Sequence, residues 1–374
     1  MRRSLGALSL GLLCVSLSFT LHAQTCPGKQ WDTSPPTVSG WNASKLSELH
    51  ALLKTLNTTA LVVVHRGKVV YEYGRTTSSY NIHSSRKSIM SMLYGIAVAK
   101  GQASMTATVG DLGIDDNGGL SEIEKTATMQ QLLGARSCIY HEAEYETDGM
   151  KSKRPERYSC KPGEQWYYNN WDFNALGTAY KLQTGKTVFE GFTEELAKPL
   201  GLENFNPFFD TQFVSGPTSR HPAYTIRLSA HDFARIGLLM GRGGNWCGKQ
   251  IVPAQWVDES TTTISATDRG GSVGYGYLWW TSPNNVQFGN KFGGKVFSAR
   301  GHLGQYLVVV PGDDLVIAHL TDGDTKTKRE VSSGDFGKIV KATLTARPAA
   351  NARTGTSGTV LPASESGRAG HGPG

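Results

Sequence analysis

Strand-forming runs lie at the two ends of this chain, and helix-period segments lie between them. Near the start, Leu61-Val62-Val63-Val64, a turn at Arg66-Gly67 and Val69-Val70-Tyr71-Glu72-Tyr73 read as a hairpin over residues 60–73. Near the end, residues 275–280, 295–300, 305–311 and 315–321 read as further strands. Helical patterns cover residues 45–56, 84–100, 128–133, 171–182, 188–200, 230–240 and 329–344. Strands so far apart in sequence bury their apolar faces most economically in one shared sheet. The expected fold is therefore α/β in content and α+β in arrangement. An antiparallel β-sheet is flanked by helices, with an inserted all-helical lobe at about residues 102–265.

Residues 1–23 read as a signal peptide. Arg2 and Arg3 form a basic start, residues 5–21 are mostly apolar, and Leu21-His22-Ala23 suits a small-residue cleavage site. No later apolar run approaches the ~20 residues that a bilayer span needs. The expectation is a periplasmic or secreted protein with no membrane span. Residues 24–346 form one domain, and the Gly/Ala/Ser/Thr/Pro-rich tail 347–374 is expected to be disordered.

Arg2 and Arg3 account for two of the +7 net charges. The other basic residues are scattered rather than striped, which argues against nucleic-acid binding and leaves room for weak contact with anionic envelope polymers. Removing Cys14 with the leader leaves Cys26, Cys138, Cys160 and Cys247. Four cysteines in an exported chain point to two disulfides, with three pairings open. Cys138–Cys160 is the favoured pair because it closes the charged excursion between them, worth ~3 kcal/mol by loop entropy. Cys26–Cys247 then follows by elimination. None of the spacings is a Cys-x-x-Cys metal motif.

Ser84-Ser85-Arg86-Lys87 is the only Ser-x-x-Lys in the chain, and it opens the apolar-periodic segment 84–100. Spacing of three on a helix puts hydroxyl and amine on one face, one turn apart. A desolvated amine loses its charge and can take the hydroxyl proton. Read alone, the tetrapeptide equally fits a helix-capping Ser and a solvated Lys. A second element is Pro162-Gly163-Glu164-Gln165-Trp166-Tyr167-Tyr168-Asn169-Asn170. A phenol there could relay protons, and an amide could bind a substrate carbonyl and orient Lys87. Tyr167-x-Asn169 overlaps Tyr168-x-Asn170, so spacing does not choose between the two tyrosines. A third element is Gly301-His302-Leu303-Gly304-Gln305, between two strand-like runs. His302 would face a cleft, Gly304 would let a ligand lie along the backbone, and the Gln305 N–H would be an oxyanion donor.

In this order the three elements resemble the serine β-lactamase and penicillin-binding-protein superfamily, specifically its class C β-lactamase-like branch. The resemblance runs from about residue 60 to 345 and includes Lys87-Ser88, Pro162-Gly163, Leu176-Gly177, Ala234-Arg235-Ile236-Gly237, Ile251-Val252-Pro253 and Gly274-Tyr275-Gly276-Tyr277. It implies Ser84 as nucleophile and Lys87 with Tyr168 as the proton-transfer pair. It implies Asn170, His302, Gly304 and Gln305 as substrate and oxyanion contacts. Neither a metal nor a cofactor is implied. His302-Leu303-Gly304 stands where dedicated class C enzymes carry Lys-Thr-Gly, so the expected cleft lacks a fixed cation, since imidazole is mostly neutral near pH 7. The expected activity is hydrolysis of an amide or ester in a small molecule or short peptide through a Ser84 acyl-enzyme. Esterase, D-amino-acid peptidase or amidase, and weak β-lactamase chemistry all fit. The alternative is a non-turnover acylated sensor or cell-envelope binding protein.

Two rival motifs carry less. Gly270-Gly271-Ser272-Val273-Gly274 matches a nucleophile elbow, but a Thr/Ser-rich loop precedes it and an aromatic, strand-like run follows. The acidic stretch 141–148 reads as a solvated loop on the rim of the cleft rather than a cation site. Trp166, Trp171, Trp279 and Trp280 are candidates for cleft lining or core packing.

Overall fold

The computed structural model describes residues 25–323 and 330–348. The expected leader and most of the expected tail lie outside the described residues.

One eight-stranded sheet organises the chain, and every pairing in it is antiparallel. Its spatial order is Lys68–Gly74, Ala60–His65, Leu315–Leu320, Gln305–Val310, Phe297–Gly301, Trp280–Thr281, Gly274–Tyr275 and Ser265–Ala266. The N-terminal hairpin thus pairs directly with the last strand. Its turn takes φ of 53° at Arg66 and 76° at Gly67, the double left-handed geometry that matches strand twist.

Alternation along the strands feeds two separate cores. Leu61, Val63, Tyr306, Val308, Val310, Leu315 and Ile317 face the helices Ala43–Thr55 and Ser333–Ala346. Ala60, Val62, Val64, Leu307, Val309, Val316 and Ala318 face the opposite core, which contains helices Arg86–Ala99 and Ala230–Gly241. Asn42 caps Ala43–Thr55 by accepting from Lys45 N–H, and Ser332 caps Ser333–Ala346 by accepting from Asp335 N–H.

Several elements differ from the sequence expectation. The Ser84 segment does not open as a regular helix. A 3-10 turn, His83–Ser85, precedes Arg86–Ala99, because His83 is held at a φ of 46°. The aromatic run expected as one strand is a tight hairpin, with Trp280 opposite Tyr275 and Leu278 at a φ of 61°. The middle region is not wholly helical. It contributes Thr211–Val214 and Ala223–Leu228 to a small sheet with Tyr80–Asn81. That sheet carries the chain into the Ser84 turn: Ile82 N–H donates to Ile226 O at 3.0 Å. Both favoured disulfides, Cys138–Cys160 and Cys26–Cys247, are present. Among the described residues no helix is long and apolar enough to cross a membrane.

Candidate active site

The Phe297–Gly301 strand ends against the Ser84 turn. A side chain at Gly301 would collide with the Ile82 carbonyl oxygen and press on Ser85 Oγ, so the two backbones touch only because Gly301 has none. Ser85 Oγ donates to Gln305 O at 3.0 Å and ties the turn to the next strand. These contacts hold Ser84, half-buried, on the floor of a cleft of about 420 Å³.

Lys87, in the first turn of Arg86–Ala99, is 1% exposed, and its Nζ lies 2.9 Å from Ser84 Oγ. Burial holds its pKa well below the usual 10.5, and the adjacent Arg86 pushes the same way. The amine is therefore biased toward its neutral, proton-accepting form. Nζ also lies 4.8 Å from the Tyr168 ring centroid and 4.9 Å from that of Phe173. Tyr168 stacks on Trp280 with centroids 5.4 Å apart. Burial raises the pKa of its phenol, and the neighbouring Ser84 hydroxyl draws it back.

The structure separates the overlapping tyrosines. Tyr168 lines the cleft, whereas Tyr167 turns away and donates to Met150 O at 3.0 Å. Asn169 caps helix Asn170–Thr184 and donates to Ile139 O at 2.7 Å. Asn170 lines the cleft but does not reach Lys87 as expected. Its Nδ2 donates to Tyr145 O at 3.1 Å, while its buried Oδ1 has no protein partner. The helix start beneath it rests on Asp172, a fully buried carboxyl that burial holds well above its ordinary pKa, in contact with Ser137 and Asn169.

The third element needs correction. His302 is exposed and lines the cleft, its ring 5.8 Å from that of His83. Gly304 and Gln305 do not line it. The chain reverses through Leu303 at φ 65° and Gly304 at φ 108°, which places Gln305 opposite Gly301 in the ladder. Gln305 is 0% exposed, and its Nε2 donates to Thr321 Oγ1 at 2.8 Å. Gln305 is thus part of the ladder rather than of the cleft lining. The strand end facing Ser84 is Arg300-Gly301, which sequence reasoning missed because His302-x-Gly304 drew attention one turn too late. The signal was there: residues 295–300 already read as a strand, and a glycine directly follows it.

The expectation that the cleft lacks a fixed cation is also overturned, since Arg269 and Arg300 both line it. Opposite them stand Tyr145, Glu146, Thr147 and Met150, from the stretch between Cys138 and Cys160. That acidic stretch forms the rim as read, but its carboxylates are not simply solvated. Glu146 is clamped by Arg154, and Glu144 accepts from Thr218 N–H at 2.8 Å. Of the four tryptophans considered, only Trp280 lines the cleft; Trp171 and Trp279 are fully buried. The Gly270–Gly274 motif is a loop followed by a short strand, without the helix an elbow requires.

A family model described as Beta-lactamase matches residues 50–338. The chain belongs to the β-lactamase family. Solved structures with the same fold include a provisionally assigned 6-aminohexanoate-dimer hydrolase from Bacillus anthracis. It has a TM-score of 0.63 at 19% identity, covering 86% of this chain and 88% of that one. A class C β-lactamase in complex with cefoxitin gives 0.60 at 14% identity, over 81% and 98% of the two chains. A penicillin-binding-protein homologue from Caulobacter crescentus gives 0.59 at 14% identity, over 81% and 99%. No curated protein matches the sequence. The β-lactamase-family fold fits a serine hydrolase of the serine β-lactamase and penicillin-binding-protein superfamily.

Proposed function

We propose that this β-lactamase-family chain is an exported serine hydrolase of the class C-like branch, cleaving an amide or ester through an acyl-enzyme on Ser84. The observation that carries the reading is the 2.9 Å contact between Ser84 Oγ and the buried, pKa-depressed Lys87 amine. Neutral Lys87 takes the Ser84 proton as Oγ attacks the substrate carbonyl, forming the C–O bond of a tetrahedral intermediate. Tyr168, stacked beside both groups, relays that proton to the leaving amine or alkoxide as its bond to the carbonyl carbon breaks. Water then attacks the ester, losing its proton to the same pair, and Ser84 Oγ leaves and is reprotonated. The Ser84 N–H and the amide after Gly301, rather than Gln305, are the candidate oxyanion donors, each worth ~3 kcal/mol of barrier. The free Asn170 Oδ1 on the cleft suits an N–H of the substrate. Two disulfides and the sequence of residues 1–23 support export.

The test is hydrolysis of 4-nitrophenyl acetate by the mature chain. Sustained turnover that Ser84→Ala reduces by about 10⁴-fold or more is expected. Undiminished activity in that variant would reject the assignment, and a one-equivalent burst that then stops would identify a non-turnover sensor instead.

A further inference from the structure

A second cavity, also of about 420 Å³, adjoins the Ser84 cleft and plays no part in the chemistry at Ser84. The same stretches of chain build both. In residues 145–155, Met150 lines the cleft, and Lys153 and Pro155 line the cavity. Tyr168 faces the cleft and Tyr167 the cavity. Arg269 faces the cleft and Asp268 the cavity. Two rings form the partition, Trp166 on the cavity side and Trp280 on the cleft side, with centroids 6.3 Å apart. A substrate that overruns the cleft at this partition meets the cavity next.

Its lining is balanced in charge and fixed in place. Arg136 and Lys153 stand with Glu164 and Asp268, and none of the four forms an ion pair among the described residues. Arg136 Nε and Nη2 both donate to Gly163 O, Nη2 also reaches Glu164 O at 3.2 Å, and Nη1 donates to Ser265 Oγ at 3.2 Å. A guanidinium has five N–H donors, so one remains on Nη1. Tyr167 is oriented by its bond to Met150 O, and Trp166 by edge contacts with Tyr275 at 5.8 Å and with Trp280. Opposite charges in equal number cancel at a distance, so the cavity does not gather ions. It offers donors, acceptors and aromatic carbon at once. A neutral ring with hydroxyls on its rim and C–H groups on its face uses all three. Its hydroxyls bond the carboxylates and the cations, and its C–H groups rest on electron-rich ring faces.

We propose that the cavity beyond the Trp166–Trp280 partition is a second substrate subsite that binds a pyranose ring, so that the preferred substrate is an acylated oligosaccharide with its acyl group at Ser84. The link to a reacting carbonyl rests on the serine-hydrolase reading, whereas the affinity of the cavity for a sugar ring does not.

Three acetate esters probe the subsite: xylotetraose acetylated on a terminal ring, monoacetylated xylose and tetraethylene glycol monoacetate. The tetraose has rings that extend beyond the cleft, xylose has none, and the glycol is a neutral chain without ring or rim hydroxyls. The tetraose is expected to exceed both others by about ten-fold or more in kcat/KM, mainly through KM. Glu164→Ala with Asp268→Ala is expected to bring that ratio close to one while turnover of 4-nitrophenyl acetate is unchanged. Both residues are exposed and lie outside the catalytic machinery, so the double variant keeps the fold. A ratio near one in the wild type, or one unmoved by the double variant, overturns the subsite. An equal fall with 4-nitrophenyl acetate overturns it as well, and a glycol ester as good as the tetraose overturns the sugar assignment. If no ester is cleaved, saturation-transfer NMR with unacetylated xylotetraose decides. Binding that the double variant loses upholds the subsite while the hydrolase reading fails; binding that persists in the variant, or no binding at all, overturns the subsite.

Discussion

The two walls of the cleft are built by different means. The wall bearing Ser84, Lys87 and Gly301 is fixed by backbone: the Gly301–Gln305 pairing, the Ile82 N–H on Ile226 O, and a first helical turn locked in the core. The opposite wall, residues 139–160, contains a single four-residue helix, Asp148–Lys151, and is otherwise irregular. Side chains hold it: the Cys138–Cys160 disulfide, Glu146 against Arg154, Asn170 Nδ2 on Tyr145 O, and Tyr167 Oη on Met150 O. A wall held by backbone hydrogen bonds tolerates little local drift, and Ser84 and Lys87, which meet within 3 Å, stand on it. A wall pinned by side chains can change its face residue by residue, which suits recognition.

Damage to the two walls should therefore read out differently. The largest effect is expected from Lys87→Met. Removing the amine beside Ser84 should lower kcat by roughly 10³-fold with little change in KM. The same change should stabilise the fold at neutral pH. Wild-type Lys87 has a folded pKa well below 10.5, so between those values the unfolded chain binds one more proton than the folded chain. Wild-type stability must rise with pH across that window, and activity must rise as pH passes the folded value. Melting curves from pH 6 to 10.5 should show the Met variant's advantage shrinking upward. A flat difference would mean that Lys87 folds charged.

On the other wall, Arg154→Met leaves the fully buried Glu146 side chain without its cation. A loss of about 3–5 kcal/mol is expected in urea denaturation, with KM raised more than kcat is lowered. An equal fall in kcat would show that this wall also positions the chemistry. The smallest effect is expected from Cys138→Ser with Cys160→Ser. Opening that 22-residue separation should cost about 3 kcal/mol by loop entropy, with Ser84 acylation still detectable by mass spectrometry. Loss of acylation in a folded variant would erase the distinction between the walls.

Much of the fold was legible because 61–64, 306–310 and 315–318 are unbroken apolar runs, and only a sheet covered on both sides buries both faces of such strands. Ser84 and Lys87 were legible because three residues on one turn form a local geometry. Arg269, Arg300 and Gly301 were not, since their places at the cleft arise from contacts between distant parts of the chain. A glycine is informative only when the backbone it touches is known. Likewise the aromatics of the run 275–280 offered strand propensity, but Leu278 turned it into a hairpin because its N–H and C=O are claimed by Leu133 and Ser88.

By itself the sequence determined that strands come from both ends of the chain, the amine beside the hydroxyl, and the four cysteines available for pairing, because these depend on near neighbours and composition. Tertiary structure alone decided which strand end meets Ser84, which tyrosine faces it, and that two arginines share its cleft. Those outcomes follow from register and chain reversal, where one residue of shift moves a side chain from the cleft to the core.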